Sequence, residues 1–457
     1  MNDSQHPSSG PAAGRSPGKP RALSNVQFSV LFTVIRLLAN GLLGIVTARG
    51  LGPVGRGIFA LIVTFHNTIV SLGRLGLTAS GVYFVGKGSF PPRETVSTGL
   101  TASILAGLGS AAVGAGAAYL LRDKLFGDVS MAWPLLAVVL SPIVIITAMA
   151  ASLLLGFGEV KPFNWSQSAG AGVGLAFVGV LWVIGSLTPS RALIAWAIAF
   201  AFAALYTAAK LRALAPLRPR WRRSQLREMF RFGLQSYLSE ASLQLNMRFD
   251  FLLVSFYTGS VGLGLYSISA LVSQFPWIFP HGLSYALYPR VTASSPGEAA
   301  RLTEKGMRHG FLLSLLTGAA IALTTRFLVP VVFGREFAES VRPSLVLLPG
   351  AVFFGLTWLQ SMYLIGQAGK PLKVGYAYLV IFVLNIVLNV LLTPRHGIIG
   401  AAAASSLARL VGCAILFQMV SAESKSTWRS SILPRREDLG ELRQEISSML
   451  RLIMRRG

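Results

Sequence analysis

Long apolar stretches alternate with short polar ones along most of the 457 residues. A helix needs about 20 apolar residues to cross the hydrocarbon core of a membrane. Stretches of at least that length without Asp, Glu, Lys or Arg occupy 95–121, 129–158, 162–190, 251–289 and 343–369. A membrane barrel would instead show short strands of alternating polarity, which this sequence lacks. The pattern therefore predicts an all-α polytopic membrane protein.

The apolar stretches predict twelve transmembrane helices in two lobes of six. Their expected ranges are 24–48, 57–85, 95–121, 131–156, 163–187, 191–210, 230–257, 262–288, 307–333, 343–366, 372–393 and 397–420. With both termini in the cytoplasm, the loops and tails on that side hold roughly three times as many Lys and Arg residues as the outer loops, as the positive-inside rule requires. The outer loops are too short to hold a soluble domain.

The two halves of the chain resemble each other. The stretch GPVGRGIFAL, which begins at Gly52, aligns with GSVGLGLYSI, which begins at Gly259. Six helices in each half give both halves the same orientation, which is the parallel repeat of some transporters. The predicted organisation is a disordered tail at 1–22, an N-lobe at 23–210, a basic linker at 211–229, a C-lobe at 230–420 and a tail at 421–457.

Composition excludes several classes of function. The net charge is +24, but the basic residues cluster between apolar segments, so no nucleic-acid partner is expected. One cysteine, Cys413, provides neither a disulfide nor a zinc site. No metal or cofactor is predicted. The C-terminal tail has apolar residues at helical spacing between arginines, which favours an amphipathic helix on membrane lipids, or else one docked on another protein.

The glycines from Gly50 to Gly55 match the spacing of a dinucleotide-binding loop. Such a loop follows a strand and precedes an acidic residue by about 20 positions. Here a predicted helix precedes the glycines, and the next acidic residue is Glu94. The pattern instead predicts a tight outer turn between the first two helices, because glycine adopts backbone conformations closed to other residues.

Polar residues at helical spacing form stripes on four predicted helices. A charge in mid-membrane costs about 3 kcal/mol or more, so Arg36 and Arg74 are expected to face a water-filled cavity between helices 1, 2, 7 and 8. Arginine binds phosphate oxygens in pairs. For the uncharged stripe residues, structural hydrogen bonds between helices are the competing interpretation. The predicted substrate-binding residues are Arg36, Asn40, Asn67, Ser71, Arg74, Ser242, Asn246, Gln274, His281 and Tyr285.

Two charged residues of the seventh predicted helix point to opposite sides of it. Asp250 continues the stripe of Ser242 and Asn246, whereas Arg248 follows Gln244, so only one of these faces looks straight into the cavity. Asp250 is a candidate for ion coupling or for pairing with an arginine. His281 is a candidate titrating group or a neutral structural histidine. Arg409 lies outside any polar stripe and is interpreted as structural or as facing a minor cavity.

The N-terminal stretch LANGLLGIVTARGLGPVGRGIFAL resembles the signature of bacterial polysaccharide and O-antigen flippases. Their pattern is an L-G-P turn after helix 1 and a glycine-bearing helix 2. This sequence departs from the pattern by one inserted residue, Arg56. They belong to the multidrug/oligosaccharidyl-lipid/polysaccharide flippase superfamily. The resemblance implies a bacterial inner-membrane protein that moves polyprenyl-pyrophosphate-linked oligosaccharides between leaflets by alternating access. It also implies a cationic central cavity, where Arg36 and Arg74 match in location and type.

These expectations identify a non-enzymatic transporter for exopolysaccharide, capsule or O-antigen synthesis. Its expected partners are the lipid-linked oligosaccharide, membrane lipids, and a polysaccharide polymerase and export machinery. Two alternatives stay open. A multidrug antiporter of the same superfamily needs a cation site, for which Asp250 is the one deep carboxylate. A membrane glycosyltransferase or polymerase would normally need a large outer loop or a pair of acidic catalytic residues.

Overall fold

The computed structural model describes residues 19–127 and 129–433. Most of the predicted N-terminal tail and the predicted amphipathic helix of the C-terminal tail therefore lie outside the described residues. The described part consists of helices and their connecting loops, with no strand, as predicted. Its α-helices are α1 (Lys19–Gly73), α2 (Leu77–Lys87), α3 (Pro92–Leu120), α4 (Arg122–Leu125), α5 (Ala132–Gly156), α6 (Val160–Val183), α7 (Pro189–Arg212), α8 (Arg223–Asn246), α9 (Phe249–Ser273), α10 (Phe275–Ala293), α11 (Pro296–Val332), α12 (Val341–Met362), α13 (Pro371–Ser424) and α14 (Trp428–Ile432).

Three of the long helices contain a glycine at which the chain leaves the helical conformation. These are Gly52 in α1 (φ 65°, ψ −178°), Gly259 in α9 (φ 67°, ψ −169°) and Gly397 in α13 (φ 56°, ψ −140°). Gly52 and Gly259 occupy equivalent places in the sequence repeat. Their φ and ψ angles also match, so the backbone structure shows the same repeat. Both need a positive φ, which glycine adopts without steric cost.

Nine helices of the described part are long and apolar enough to cross a membrane, and the three broken helices are among them. The chain is therefore a multi-pass membrane protein. The total of twelve crossings, the lobe boundaries and the orientation of the termini stay predictions.

Several predicted helices are interrupted or extended. The helix predicted at 57–85 breaks after Gly73, where Leu75 and Gly76 have positive φ. The helix predicted at 230–257 breaks at Met247, and the helix predicted at 262–288 breaks at Gln274. Pro276 follows this last break within the first turn of α10, where its missing N–H costs nothing.

The lobes meet at two pairs of glycines. A Cβ on Gly57 would lie 1.7 Å from the backbone oxygen of Ser260, and one on Gly264 would lie 2.0 Å from that of Pro53. Near the other end, a Cβ on Gly76 would lie 2.0 Å from the oxygen of Gly233. At both crossings the backbones of the lobes touch, so no side chain larger than hydrogen fits. The glycines of the opening motif therefore make a turn and a contact between lobes.

An arginine reinforces the contact between the lobes at Gly57 and Gly264. The guanidinium of Arg56 donates to Thr47 Oγ1 at 2.7 Å and to Ser267 Oγ at 3.2 Å. Thr47 precedes the break in α1 and Ser267 follows the break in α9, so one side chain links both lobes. The Arg56 insertion noted in the sequence thus has a structural role at the lobe interface.

Candidate functional site

Arg36 and Arg74 line one cavity of about 260 Å³ on the N-lobe side. Asn40 lines it as well, together with small side chains of α6 and α7 such as Gly170 and Ala199. The small residues leave the space open, and no Asp or Glu of the described chain lines it. We call this space the arginine cavity. The structure thus brings the two arginines into one cavity, but N-lobe residues alone line it, whereas the sequence predicted a cavity between helices 1, 2, 7 and 8.

A single long ion pair with the described residues offsets the charge of the two arginines. Arg36 is half-buried and makes no hydrogen bond or ion pair with the described residues. Arg74 approaches Glu240 of the C-lobe only at 4.0 Å, and its Nε is buried without a hydrogen-bond partner. A guanidinium without its full set of acceptors is ready to bind an anion, and phosphate oxygens match its planar fork.

Arg74 also lines a second, smaller pocket of about 100 Å³ between α1 and α8. We call it the seam pocket. Its polar lining comes from both lobes: Asn67, Thr68, Ser71, Arg74, Gln244 and Arg248. The predicted stripe of the second helix therefore faces the C-lobe, as expected. On the seventh predicted helix, the face with Gln244 and Arg248 points to the space between the lobes, and Asp250 does not.

Aromatic side chains surround His281 in the C-lobe. The ring of His281 lies 4.1 Å from Trp358, 4.9 Å from Tyr285 and 5.8 Å from Trp277. Of the two arginines of the cavity, Arg36 is the one whose charge acts on His281. Tyr285 is 68% exposed. The spacing of 277, 281 and 285 is a helical stripe, but Trp358 comes from α12, and no sequence pattern joins it to the others.

The other predicted substrate residues lie elsewhere. Ser242 and Asn246 are 3% and 2% exposed, and they line neither the arginine cavity nor the seam pocket. Gln274 is exposed at the break between α9 and α10 and lines neither space. Both polar atoms of the Asn246 amide are buried without a hydrogen-bond partner in the described part. A substrate-binding role for these three residues stays a prediction without support from their position.

Asp250 belongs to a polar network inside the C-lobe. It is 1% exposed, and its Oδ2 accepts hydrogen bonds from Tyr266 Oη at 2.7 Å and Ser405 Oγ at 3.1 Å. Asn385 donates to Ser405 at 3.2 Å and also accepts from Asn389 at 2.9 Å. Arg409 acts on Asp250 by its charge but makes no ion pair with it within 4.0 Å among the described residues. The carboxylate is therefore held mainly by hydroxyl groups.

Comparisons with known proteins agree with this architecture. The model of a family described as "Polysaccharide biosynthesis protein" matches residues 22–294. No curated protein matches the chain. An inward-facing multidrug resistance MATE transporter of the MOP superfamily has a similar structure, with a TM-score of 0.67 and 16% identity over 87% of this chain and 99% of that one.

A second solved structure with the same fold is an inward closed lipid II flippase, MurJ. Its TM-score is 0.67 at 14% identity, over 86% of this chain and 87% of that one. An outward-facing MATE transporter has a TM-score of 0.57 at 15% identity, over 90% of this chain and 98% of that one. These likenesses confirm the fold of the MOP superfamily, and the matched residues show that the chain belongs to the polysaccharide biosynthesis protein family.

Proposed function

We propose that the protein moves a polyprenyl-pyrophosphate-linked oligosaccharide across the bacterial inner membrane by alternating access. The observation that carries this proposal is the arginine cavity, in which Arg36 and Arg74 lie together with one long ion pair, from Arg74 to Glu240 at 4.0 Å, among the described residues. A pyrophosphate supplies the missing negative charge and several acceptor oxygens. The family match and the flippase fold support a lipid-linked substrate. The mechanism requires no covalent step.

The aromatic cluster around His281 is suited to the saccharide. Trp358 and Tyr285 offer flat apolar faces with a polar edge, and such rings combine packing with hydrogen bonding. The Nε1 of Trp358 is buried without a hydrogen-bond partner among the described residues. We therefore assign the pyrophosphate to the N-lobe arginines and the sugars to the C-lobe aromatic residues.

The charge of the cavity decides between this substrate and a cationic drug. Two arginines and no carboxylate among the described lining residues would repel a cation, because like charges at short distance are unfavourable. The multidrug antiporter alternative is therefore disfavoured for cationic substrates. A glycosyltransferase or polymerase would need catalytic carboxylates at the cavity, where the described residues provide none.

Asp250 is our candidate for coupling transport to an ion gradient. A proton or a sodium ion on this carboxylate would change the network of Tyr266, Ser405 and Asn385, which joins α9 to α13. These helices include the break at Gly259, which lies beside the contact between the lobes. Ion binding at Asp250 would thus act on the geometry of the C-lobe without touching the substrate.

The coupling role predicts a selective defect for Asp250→Asn. This change keeps the shape and one of the two acceptor oxygens but removes the charge. Binding of the lipid-linked saccharide should persist, while transport into vesicles should no longer accelerate when a proton or sodium gradient is imposed. The matched control is Asp123→Asn, which changes a carboxylate that is 84% exposed. A full gradient response in Asp250→Asn would exclude the coupling role.

The saccharide assignment predicts that Trp358→Ala weakens substrate binding by about tenfold, since aromatic stacking contributes about 0.5–1.5 kcal/mol beyond surface burial. Binding of a polyprenyl phosphate without sugar should change little. Titration of the purified protein with both lipids measures the difference. The control is Trp221→Ala, at a tryptophan that is 68% exposed in the linker. Equal losses for both lipids would show a structural defect instead of a lost sugar contact.

Reconstituted vesicles test the transport function itself. A fluorescent lipid-linked oligosaccharide placed in one leaflet should become accessible to an impermeant quencher on the other side only when the protein is present. A fluorescent organic cation should not be carried. Transport of the cation without transport of the lipid-linked sugar would overturn the proposal.

A further inference from the structure

An apolar groove runs along the junction between the lobes, outside the arginine cavity. Its volume is about 820 Å³, and it lies between α1 and α3 of the N-lobe and α8 and α9 of the C-lobe. Its walls include Phe65, Ile69, Leu72, Val113, Leu252 and Phe256. No charged residue of the described chain lines it. We call it the interlobe groove.

The interlobe groove adjoins the seam pocket, because Thr68 lines both. The seam pocket carries Arg74 and Arg248 and no lining carboxylate among the described residues. The side chain of Arg248 makes no hydrogen bond with the described residues. An anionic group in the seam pocket and a hydrocarbon chain in the groove would lie end to end. The two spaces together therefore match an amphiphile with a phosphate head and a long tail.

The position of the groove along the helices narrows the choice of amphiphile. The groove reaches Tyr257, two residues before the break at Gly259, and it also reaches Leu121 at the same end of α3. At the opposite end, Gly76 and Gly233 close the junction. The groove also reaches Leu75 and Phe230 beside this contact, so it extends along most of the junction and can hold a long chain.

The depth of the arginines argues against a resident phospholipid. A phospholipid keeps its phosphate at the membrane surface, whereas Arg74 and Arg248 lie beside breaks well inside their predicted helices, at 57–85 and 230–257. A charged group at that depth costs several kcal/mol unless it is paired. The phosphate of a transported lipid has to cross the membrane interior between the lobes. It can therefore pair with these arginines at that depth.

We propose that the interlobe groove holds the polyprenyl chain of the carrier lipid while its phosphate groups contact Arg74 and Arg248. This inference rests on the proposed function and adds the path of the lipid tail to it. Both lobes line the groove, so a bound chain spans the surface at which they move against each other.

A single glycine allows the groove to be filled with little disturbance. A Cβ on Gly109 would meet nothing within 4 Å, and Gly109 lines the groove. Gly109→Phe should therefore occupy the groove and leave the packing of α3 intact. The matched control is Gly172→Phe in α6, where a Cβ also meets nothing and which lines neither the groove nor the arginine cavity.

The test measures binding of two sugar-free probes to the full-length protein in detergent: a long-chain polyprenyl monophosphate and geranyl monophosphate. Gly109→Phe should lower the affinity for the long-chain probe by about tenfold or more and leave that for geranyl monophosphate unchanged, because the short tail does not need the groove. Gly172→Phe should change neither. Wild-type affinity of Gly109→Phe for the long-chain probe would overturn the assignment.

Photocrosslinking identifies the occupant. A photoreactive phenylalanine in place of Leu253, which lines the groove, is irradiated with equal amounts of long-chain polyprenyl monophosphate and phosphatidic acid. Capture of the polyprenyl lipid supports the proposal, and capture of phosphatidic acid alone contradicts it. If the vesicle assay shows transport but Gly109→Phe binds normally, the tail path is wrong and the proposed function stands. If no lipid-linked sugar is transported but Gly109→Phe discriminates chain length, the proposed function is wrong and the groove remains a polyprenyl site.

Discussion

Replacing Arg36 and Arg74 together with alanine should abolish polysaccharide export while the protein remains in the membrane at its normal level. Hydrogen bonds to charged groups contribute about 1.5–3 kcal/mol each. Loss of at least one such bond from each arginine predicts a fall in substrate affinity of about a hundredfold or more. Polymer at the cell surface is measured in cells that depend on this gene copy, and immunoblots of membranes measure the protein.

Two further variants give this prediction its controls. Arg326→Ala removes an exposed arginine of α11 that lies outside the arginine cavity, and it should export normally. Arg36→Lys with Arg74→Lys keeps both charges but loses the paired geometry of the guanidinium, so it should retain partial export. Normal export by the double alanine variant would refute the assignment of the pyrophosphate to these residues.

Gly57→Ala should block the transport cycle, because it should hold the lobes apart where Gly57 contacts Ser260. The added methyl group would lie 1.7 Å from the oxygen of Ser260, a backbone atom that no rotamer change can move away. Overpacking costs about 1–3 kcal/mol even where side chains can adjust, so transport should fall by about tenfold or more. Gly264→Ala meets Pro53 in the same way and should behave alike.

Thiol labelling reports whether the lobes have separated. Ala48 is 0% exposed and packs in the apolar cluster with Leu265 and Ile268 of α9, so Ala48→Cys should be protected from an impermeant reagent. In combination with Gly57→Ala it should become reactive. Gly116→Ala is the matched control, because a Cβ there meets nothing within 4 Å. Lost transport with a protected cysteine would mean that the variant misfolds or fails by another route.

The sequence was sufficient to predict features that depend only on the local geometry of one helix or turn. The stripe of Asn67, Ser71 and Arg74 follows from helical spacing alone, and these residues do share the seam pocket. The repeat of Gly52 at Gly259 likewise predicted two equivalent turns, because few residues other than glycine adopt a positive φ. Both inferences needed only the local geometry of the chain.

The same reasoning could not decide which face of a helix points where when both faces are polar. The face with Ser242, Asn246 and Asp250 lies in the protein interior, and the partners of Asp250 include Ser405 of α13. That partner is 155 residues away in the chain, so no spacing rule finds it. Trp358 was missed for a similar reason, since it reaches His281 from a different helix.

The central claim is that Arg36 and Arg74 bind the pyrophosphate of a lipid-linked oligosaccharide. The most direct measurement compares the affinity of the purified protein for one oligosaccharide carried either by a polyprenyl pyrophosphate or by an uncharged polyprenyl ether. The wild-type protein should prefer the pyrophosphate lipid by about a hundredfold, and Arg36→Ala with Arg74→Ala should lose that preference. An equal preference in both proteins, or none in the wild type, would contradict the account.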